Sequence, residues 1–459
     1  MPSIAEELLP ETRRALLHRL ATGQVDGRAP SMVAAVVRDG RPAWIGGRGT
    51  VDDGAVPDGD VQYRIGSITK MFLAVLVLRL HDEGRLALTD PLDTHLPGTA
   101  AGRATIGGLL AHTAGLAAET PGPWWERTPG TLRPGLADVL GDDPQVLPAG
   151  TRHHYSNPGF ALLGALVERI HGQAWAEVLH ARVLAPLGMT RTTLLPVAPH
   201  ASGWAVHPWA DVLLPEPAVD AGAMAPAGQL WSTAADLARF TAFLIDGDER
   251  ILSRDSLVRM REPASPPEAA TWDTGYGLGT QLLRRDGRLL SGHTGSMPGF
   301  LATVWISADD AVGAVVLANA TSGPAVAWIA ADLVKTVAER EPRIPAPWRP
   351  LPAVDPRVLE LAGPWYWGPA PFVLRPLADG FLSLTSLPAG GRGTRLRPAG
   401  DGGWVGLNGY FAGERLRVVR DAAGAVSHLD LGSFVFTRQP YDPAAPIPGG
   451  VDPAGWRAG

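Results

Sequence analysis

Residues 63–70 read Tyr-Arg-Ile-Gly-Ser-Ile-Thr-Lys, and they contain the most informative motif of the chain. It places Ser67 three residues before Lys70, which is one of only two lysines among 40 basic residues. Arginine keeps its proton in proteins, whereas a partly buried lysine can lose it. With 17 serines and two lysines in 459 positions, about 0.07 such Ser-x-x-Lys pairs are expected by chance. The pair therefore predicts a functional lysine, although a solvated helix lysine would give the same spacing.

The apolar run after Lys70 explains how its side chain would be buried. Residues 71–80 carry apolar side chains on most faces, which predicts a buried helix that opens at Ser67 and ends at Gly84. Residues three apart on a helix share a face, so the serine hydroxyl and the lysine amine meet. Burial and the positive end of a helix both lower a lysine pKa. The sequence therefore predicts that Lys70 takes the Ser67 proton, and that backbone N–H groups stabilise an oxyanion.

A second candidate group is the triplet Tyr155-Ser156-Asn157. A tyrosine hydroxyl beside a lysine can pass a proton to and from a leaving group, which makes Tyr155 a candidate proton relay. Two plainer explanations stay open. Tyr155 fits a buried structural phenol, and Asn157 before Pro158 fits a helix N-cap. The presence of the Ser-x-x-Lys pair elsewhere in the chain favours the functional interpretation of the triplet.

A third group, His293-Thr294-Gly295, ends the predicted strand after an Asp-Gly turn at residues 286–287. A strand edge beside an active site can pair with a substrate backbone, and Gly295 permits close approach. The N–H of Ser296 would then join that of the nucleophilic serine in holding an oxyanion. A histidine and a turn glycine at a hairpin end are the alternative explanation.

The composition excludes several classes of protein. The formal net charge is −6 and no basic cluster is present, which argues against nucleic-acid binding. There are no cysteines, so disulfides, thiolate metal sites and a cysteine nucleophile are excluded. The N-terminus lacks a signal pattern, and the apolar run after the motif is far shorter than a membrane span. We therefore expect a cytoplasmic protein with no membrane contact.

The pattern along the chain predicts an α/β fold followed by a small β-barrel. A helix over residues 4–20, a hairpin within 31–46 and strands within 276–319 indicate an antiparallel sheet flanked by helices. A mainly helical region is inserted between the N-terminal hairpin and the later strands. We expect Ser67 to lie at the boundary between this region and the sheet.

The domain boundaries follow from changes in composition. Residues 1–340 form the predicted α/β domain, and residues 341–356 form a Pro-rich linker. Seven short alternating strands then predict a barrel over residues 357–442, and residues 443–459 are an irregular tail.

Together, the three groups resemble the active-site motifs of class C β-lactamases, of their D,D-peptidase relatives and of the related serine esterases, within the β-lactamase and penicillin-binding-protein superfamily. They occur in the family's order: Ser67-x-x-Lys70, Tyr155-x-Asn157 and His293-Thr294-Gly295. Flanking runs at residues 63–66, 109–115 and 227–237 agree, and the resemblance covers about residues 20–340.

The resemblance implies that Ser67 is the acylated nucleophile, that Lys70 and Tyr155 carry protons, and that Asn157 contacts the substrate amide. His293 would line the pocket where many β-lactamases have a lysine. A lysine there holds a substrate carboxylate, whereas a mostly neutral histidine is a weaker anchor. This departure makes the chain more similar to the peptidase, D-amino-acid amidase and esterase branches than to efficient β-lactamases.

The C-terminal part resembles the lipocalin-like barrel that several family members carry after the hydrolase domain. Those members act on D-amino-acid peptides, or release and cyclise non-ribosomal peptides. Arg438 lies on the last predicted strand of this barrel. It is a candidate for binding a substrate carboxylate or an acyl carrier, and an ordinary surface arginine is the alternative.

Three functions follow from this interpretation. The first is hydrolysis of small esters or D-configured peptides through an acyl-enzyme. The second is acyl transfer to an amine, including cyclisation of a peptide natural product. The third is non-catalytic binding, which the intact serine, lysine and tyrosine disfavour. The expected partner is a small-molecule or peptidyl substrate, either free or activated as a thioester or on a carrier protein, and no metal or organic cofactor is expected.

Overall fold

The computed structural model describes residues 8–446, except for 133–135, 267–272 and the positions 346, 349, 352, 378, 379, 388, 389, 400, 401 and 443. The chain divides into two compact units, Met1–Arg343 and Ile344–Gly459. Within the described ranges, no helix combines the length and the apolar character needed to cross a bilayer.

The first unit is built around an antiparallel sheet. Its strands are β1 (Ser31–Arg38), β2 (Arg41–Gly49), β3 (Gln62–Arg64), β4 (Trp204–Val206), β5 (Leu213–Pro215), β6 (Trp231–Thr233), β7 (Thr274–Tyr276), β8 (Gln281–Arg285), β9 (Arg288–Met297), β10 (Phe300–Ser307) and β11 (Val312–Ala318). Seven of them form one sheet in the order β2-β1-β11-β10-β9-β8-β7, and two small sheets pair β3 with β6 and β4 with β5. The N-terminal hairpin therefore lies beside the C-terminal strands, which confirms the predicted architecture.

Helices cover both faces of this sheet. They are α1 (Pro10–Asp26), α2 (Thr69–Asp82), α3 (Ile106–Leu110), α4 (Ala137–Leu140), α5 (Asn157–His171), α6 (Trp175–Leu179), α7 (Ala225–Gly228), α8 (Ala234–Asp246), α9 (Arg254–Met260) and α10 (Val326–Arg340). On β1, Val33 and Ala35 enter the core that includes α2 and α8, whereas Met32 and Ala34 enter the core with α1 and α10. Because side chains alternate between two covered faces, residues 32–37 of β1 form an unbroken apolar run.

The predicted N-terminal helix is displaced along the chain. It was expected over residues 4–20, but α1 begins at Pro10 and ends at Asp26, and residues 4–7 lie outside the described residues. Proline is favoured in the first turn of a helix, where its missing N–H has no intrahelical partner, so Pro10 starts the helix instead of interrupting it.

Helix α2 is the buried centre of the first unit. Every residue from Thr69 to Leu78 is buried, as the dense apolar pattern predicted. The chain enters α2 through a single 3-10 turn at Gly66–Ile68 and leaves it at Gly84, whose φ is +68°. A left-handed glycine after the last turn is a common helix ending. Ser67 thus stands at the entrance to the most buried helix of the unit.

The second unit is a closed antiparallel barrel of eight strands preceded by the short helix α11 (Pro356–Leu359). The strands are β12 (Gly363–Trp367), β13 (Ala370–Pro376), β14 (Leu382–Ser386), β15 (Thr394–Pro398), β16 (Trp404–Gly406), β17 (Arg415–Arg420), β18 (Val426–Leu431) and β19 (Phe434–Thr437). The predicted barrel is confirmed, but the sequence indicated only the last seven strands. The missed strand is β12, because its Gly363-Pro364 pair is typical of a turn. Pro364 has no N–H to donate, and it is tolerated in the strand because β12 pairs with β19 only at Tyr366.

Candidate active site

Ser67 lies in the tight turn that leads into α2. The turn needs a glycine before the serine, because Gly66 has φ +53° and a Cβ there would come 2.5 Å from the backbone nitrogen of Ser296. The Ser67 side chain is partly exposed, whereas its chain neighbours in the turn are buried. The hydroxyl therefore stays accessible on an otherwise closed surface.

Lys70 is completely buried, and three oxygen atoms surround its amine. Its Nζ lies 2.9 Å from Ser67 Oγ, 2.7 Å from Asn157 Oδ1 and 2.6 Å from the carbonyl oxygen of Ala227. The amide and carbonyl oxygens are acceptors only, so each takes an N–H of the amine. A neutral amine then has one lone pair left, which faces the serine hydroxyl. The geometry thus matches an unprotonated Lys70 that accepts the serine proton.

The electrostatic surroundings favour this neutral form. Burial lowers the pKa of Lys70 from 10.5 to about 7, and the negative charges of Glu119 and Glu126 oppose part of the shift. The direction agrees with the expectation from burial. A pKa of about 7 leaves roughly half of the amine unprotonated at neutral pH. An ordinary exposed lysine would be almost wholly charged there.

The orientation of Asn157 toward Lys70 depends on two residues, Ser156 and Glu119. Ser156, and not Asn157, caps α5, because its Oγ accepts a hydrogen bond from the N–H of Gly159 at 3.2 Å. The Asn157 side chain is thereby free to turn inward. Its Nδ2 donates to Glu119 Oε1 at 2.7 Å, and a carboxylate can only accept, so Oδ1 must face the lysine. Both ends of the amide are occupied in this state, and its predicted contact with a substrate amide stays a prediction.

Tyr155 completes the group around the serine. Burial raises the pKa of its phenol above the usual range, and a hydrogen bond with the Ser67 side chain partly offsets this. The phenol is therefore neutral at rest and suits a relay that both gives and accepts a proton. The Lys70 Nζ lies 4.9 Å from the ring centroid. The ring of His112 packs against Tyr155 with centroids 4.2 Å apart and fixes its orientation.

His293 is buried and does not present a charge to the cleft. Its Nδ1 donates to the carbonyl oxygen of Thr294, so Nε2 is the acceptor of the Tyr276 hydroxyl, at 3.0 Å. Burial, followed by the nearby Lys70 charge, lowers the pKa of His293 to about 3. The histidine therefore stays neutral at physiological pH and positions Tyr276. It lies near Tyr155, with ring centroids 6.1 Å apart.

Strand β9 leaves one edge open beside the nucleophile. Strand β8 begins at Gln281, so among the described strands residues 293–297 pair with β10 alone. The Gln281 side-chain oxygen accepts hydrogen bonds from the N–H and the hydroxyl of Thr294 at 3.0 and 3.1 Å. Successive backbone N–H groups of a strand point to opposite edges. The N–H of Ser296, two residues after Thr294, therefore points to the same open edge as that of Thr294.

Gly295 allows β9 to approach the serine turn closely. A Cβ at Gly295 would come 1.9 Å from the carbonyl oxygen of Ile65 and 3.3 Å from the backbone nitrogen of Ser67. Gly66 and Ser296 are also in close contact. The backbone N–H groups of Ser67 and Ser296 therefore lie in one small region. Two such donors are what an oxyanion needs.

Several members of the site were not predicted from the sequence to be site residues. The Ala227 carbonyl, Glu119, Tyr276 and Gln281 all contact predicted residues, but each depends on tertiary packing. Only Gln281 had a local cue, because it starts the strand that precedes the His-Thr-Gly motif. A cavity of about 290 Å³ beside Tyr155 is lined by Tyr276 and Gln281, and by apolar side chains that include Trp305 and Trp328.

The remaining candidate from the sequence, Arg438, makes its contacts within the second unit. Arg438 belongs to the second unit, where its guanidinium donates to the carbonyl oxygens of Glu360, Ala362 and Pro364 and stacks 3.9 Å from the Trp365 ring. Its predicted role in binding a substrate stays a prediction. Across the described residues, no cluster of three or more histidine or acidic side chains is arranged to hold a metal ion.

The motifs and the fold are those of a known protein family. Residues 15–339 match the sequence model of the beta-lactamase family. The chain belongs to the β-lactamase family. Residues 354–438 match a family described as a domain of unknown function, DUF7586. The resemblance that the motifs indicated is thereby confirmed.

Individual relatives agree with the family. The chain is 30% identical over 330 residues to penicillin-binding protein 4 of Amycolatopsis lactamdurans, which covers 66% of this chain and 83% of that protein. A D-stereospecific amidohydrolase from a Streptomyces species has a TM-score of 0.58 at 26% identity, covering 72% of this chain and 99% of that one. The structure of SurE has a TM-score of 0.59 at 26% identity, covering 94% and 99%.

Proposed function

We propose that this protein is a serine hydrolase that forms an acyl-enzyme on Ser67 with D-configured amino-acid amides, peptides or small esters. The observation that carries the proposal is the buried Lys70 amine. Its two fixed acceptors leave one coordination position, and that position is occupied by the Ser67 hydroxyl at 2.9 Å. A serine becomes a nucleophile when a base at this distance can take its proton.

The reaction follows from the positions of these groups. Neutral Lys70 takes the Ser67 proton while Oγ attacks the substrate carbonyl carbon. The N–H groups of Ser67 and Ser296 hold the resulting oxyanion. The proton passes from the lysine through Tyr155 to the leaving nitrogen or oxygen as its bond to carbon breaks. Water then attacks the ester on Ser67 and gives a proton to the same base, which passes it to Ser67 Oγ as the bond from that oxygen to the acyl carbon breaks and the free acid leaves.

The charges around the site support a substrate without an essential carboxylate. His293 is buried and neutral, so it supplies no cationic anchor. The acidic side chains Glu119 and Glu126 lie close enough to act on the Lys70 charge and would favour a substrate ammonium group. The similarity to a D-stereospecific amidohydrolase supports the D configuration.

Covalent labelling tests the acyl-enzyme directly. We expect a fluorophosphonate to add one phosphonyl group to the wild-type chain, as measured by intact-protein mass spectrometry, and none to Ser67→Ala. Ser383→Ala, which removes a partly buried hydroxyl on β14, should label like the wild type. A wild-type chain that takes no label, or a Ser67→Ala chain that still does, would favour a non-catalytic binding protein.

A second function, acyl transfer to an amine, is favoured by one observation. The second unit is a closed eight-stranded barrel, and it resembles the domain that family members which release and cyclise non-ribosomal peptides carry after the hydrolase domain. In this alternative the acyl donor is a thioester or a carrier-bound peptide, and an amine replaces water. Product analysis on a D-amino-acid thioester, with and without an amine acceptor, separates the two. Amide formation that depends on Ser67 supports transfer, and free acid alone supports hydrolysis.

A further inference from the structure

One end of the barrel holds a cavity that the proposed reaction does not use. In an antiparallel barrel whose strands follow in sequence order, successive connections lie at opposite ends. Every second connection therefore lies at the same end, which here holds β12–β13, β14–β15, β16–β17 and β18–β19. A cavity of about 380 Å³ lies among them. Its lining is mainly apolar and includes Trp367, Phe372, Phe411 and Phe434.

The cavity is separate from the packed interior of the barrel. The side chains that point inward, such as Trp365, Leu374 and Leu416, are buried and form one continuous apolar core. Phe372 and Phe411 belong to this core and form the floor of the cavity. The interior is therefore filled, and the open space lies where the connecting turns rise above it. Mouths of β-barrels are common positions for small-molecule sites, and this volume is in their usual range.

A single arginine stands at the rim of the cavity. The Arg392 guanidinium stacks 4.0 Å from the centroid of the Tyr410 ring and 5.3 Å from that of Phe434. Within the described part of the chain it has no hydrogen bond or carboxylate partner. The barrel's Arg420 differs, because it forms an ion pair with Glu360 at 2.7 Å. Arg392 therefore presents its N–H donors, held in orientation by two aromatic rings, above an apolar cavity.

We propose that this end of the barrel binds a small carboxylate with a flat apolar body. The planar guanidinium can donate two parallel hydrogen bonds to a carboxylate, which a point charge cannot do. The rings of Trp367 and Phe434, whose centroids are 5.0 Å apart, offer edges and faces to an aromatic body. Stacking on Tyr410 reduces the freedom that Arg392 loses on binding. All the residues that line the cavity belong to the second unit, and none has a role in the reaction proposed at Ser67.

Calorimetry on the full chain with a matched pair of probes tests the proposal. We expect 1-naphthylacetate to bind, and 1-naphthylacetamide, which has the same body without the charge, to bind about tenfold more weakly. Arg392→Gln should weaken binding of the acid about tenfold and leave binding of the amide unchanged. Arg417→Gln, which removes an exposed arginine of β17, is the control and should bind both probes like the wild type.

Two further variants separate this site from the catalytic centre. Trp367→Ala should weaken binding of both probes because it removes part of the apolar wall. Ser67→Ala should bind the acid like the wild type. The proposal is overturned if Arg392→Gln binds the acid as tightly as the wild type does, if the wild type binds neither probe, or if Ser67→Ala abolishes binding.

Discussion

Replacing Lys70 with methionine is expected to slow acylation of Ser67 by about 10³-fold or more, in the range that removal of a positioned general base produces. Methionine fills much of the same buried volume but has no lone pair basic enough to take the proton. The measurement is the rate of phosphonylation by a fluorophosphonate, or the kcat/KM for a chromogenic ester.

Two controls distinguish loss of the base from loss of the fold. Lys335→Met removes the other lysine, which is 40% exposed and paired with Asp286 at 3.3 Å, and should leave the rate unchanged. Lys70→Arg keeps a positive charge that cannot be removed at any practical pH, so it should be as slow as the methionine variant. A Lys70→Arg protein with near-wild-type acylation would show that deprotonation at this position is unnecessary.

Replacing Gly295 with alanine is expected to lower kcat/KM by about 10² to 10³-fold, the usual effect of losing one oxyanion donor. The new methyl group would come 1.9 Å from the Ile65 carbonyl oxygen, and backbone atoms cannot rotate out of the way as a flexible side chain can. Strand β9 must therefore move away from the serine turn. The N–H of Ser296 moves with it and leaves the oxyanion position.

The matched control is Gly159→Ala, near the start of α5. A Cβ there has its closest neighbour, Leu109, at 3.5 Å, which is an ordinary contact, and alanine is the better helix former by about 1 kcal/mol. This variant should keep its activity and its thermal stability. Full activity in Gly295→Ala, measured on the same ester, would mean that the close approach of β9 does not position an oxyanion donor.

The sequence predicted the part of the site that depends on local geometry. Ser67 and Lys70 meet because helix residues three apart share a face, and the burial of the lysine follows from the dense apolar run after it. Secondary structure in the sheet and barrel was equally predictable, since alternation and Asp-Gly turns are local signals. The prediction missed β12, because a Gly-Pro pair is typical of a turn, and it missed the three-residue strands β3 to β6, which are too short for alternation to show.

The rest of the site depends on contacts between distant segments. Asn157 had a plausible local role as a helix cap, and only the structure shows that Ser156 takes that role. The Ala227 carbonyl in α7 orients the amine, and the Glu119 carboxylate in a loop orients the amide, and both lie far along the chain from Lys70. His293 was expected to be mostly neutral, and its burial lowers its pKa in that direction, but its partner Tyr276 depends on tertiary packing alone. No periodicity or spacing in one sequence encodes such pairs.

The pH dependence of acylation tests the central claim most directly. The neutral amine is the active form, so kcat/KM for a chromogenic ester, followed from about pH 5 to pH 10, should rise with pH and reach a plateau. Because the pKa of Lys70 is lowered to about 7, the midpoint of that rise should lie near pH 7. A rise centred near 10, the value of a solvated lysine, or a rate that does not change across the range, would contradict the account.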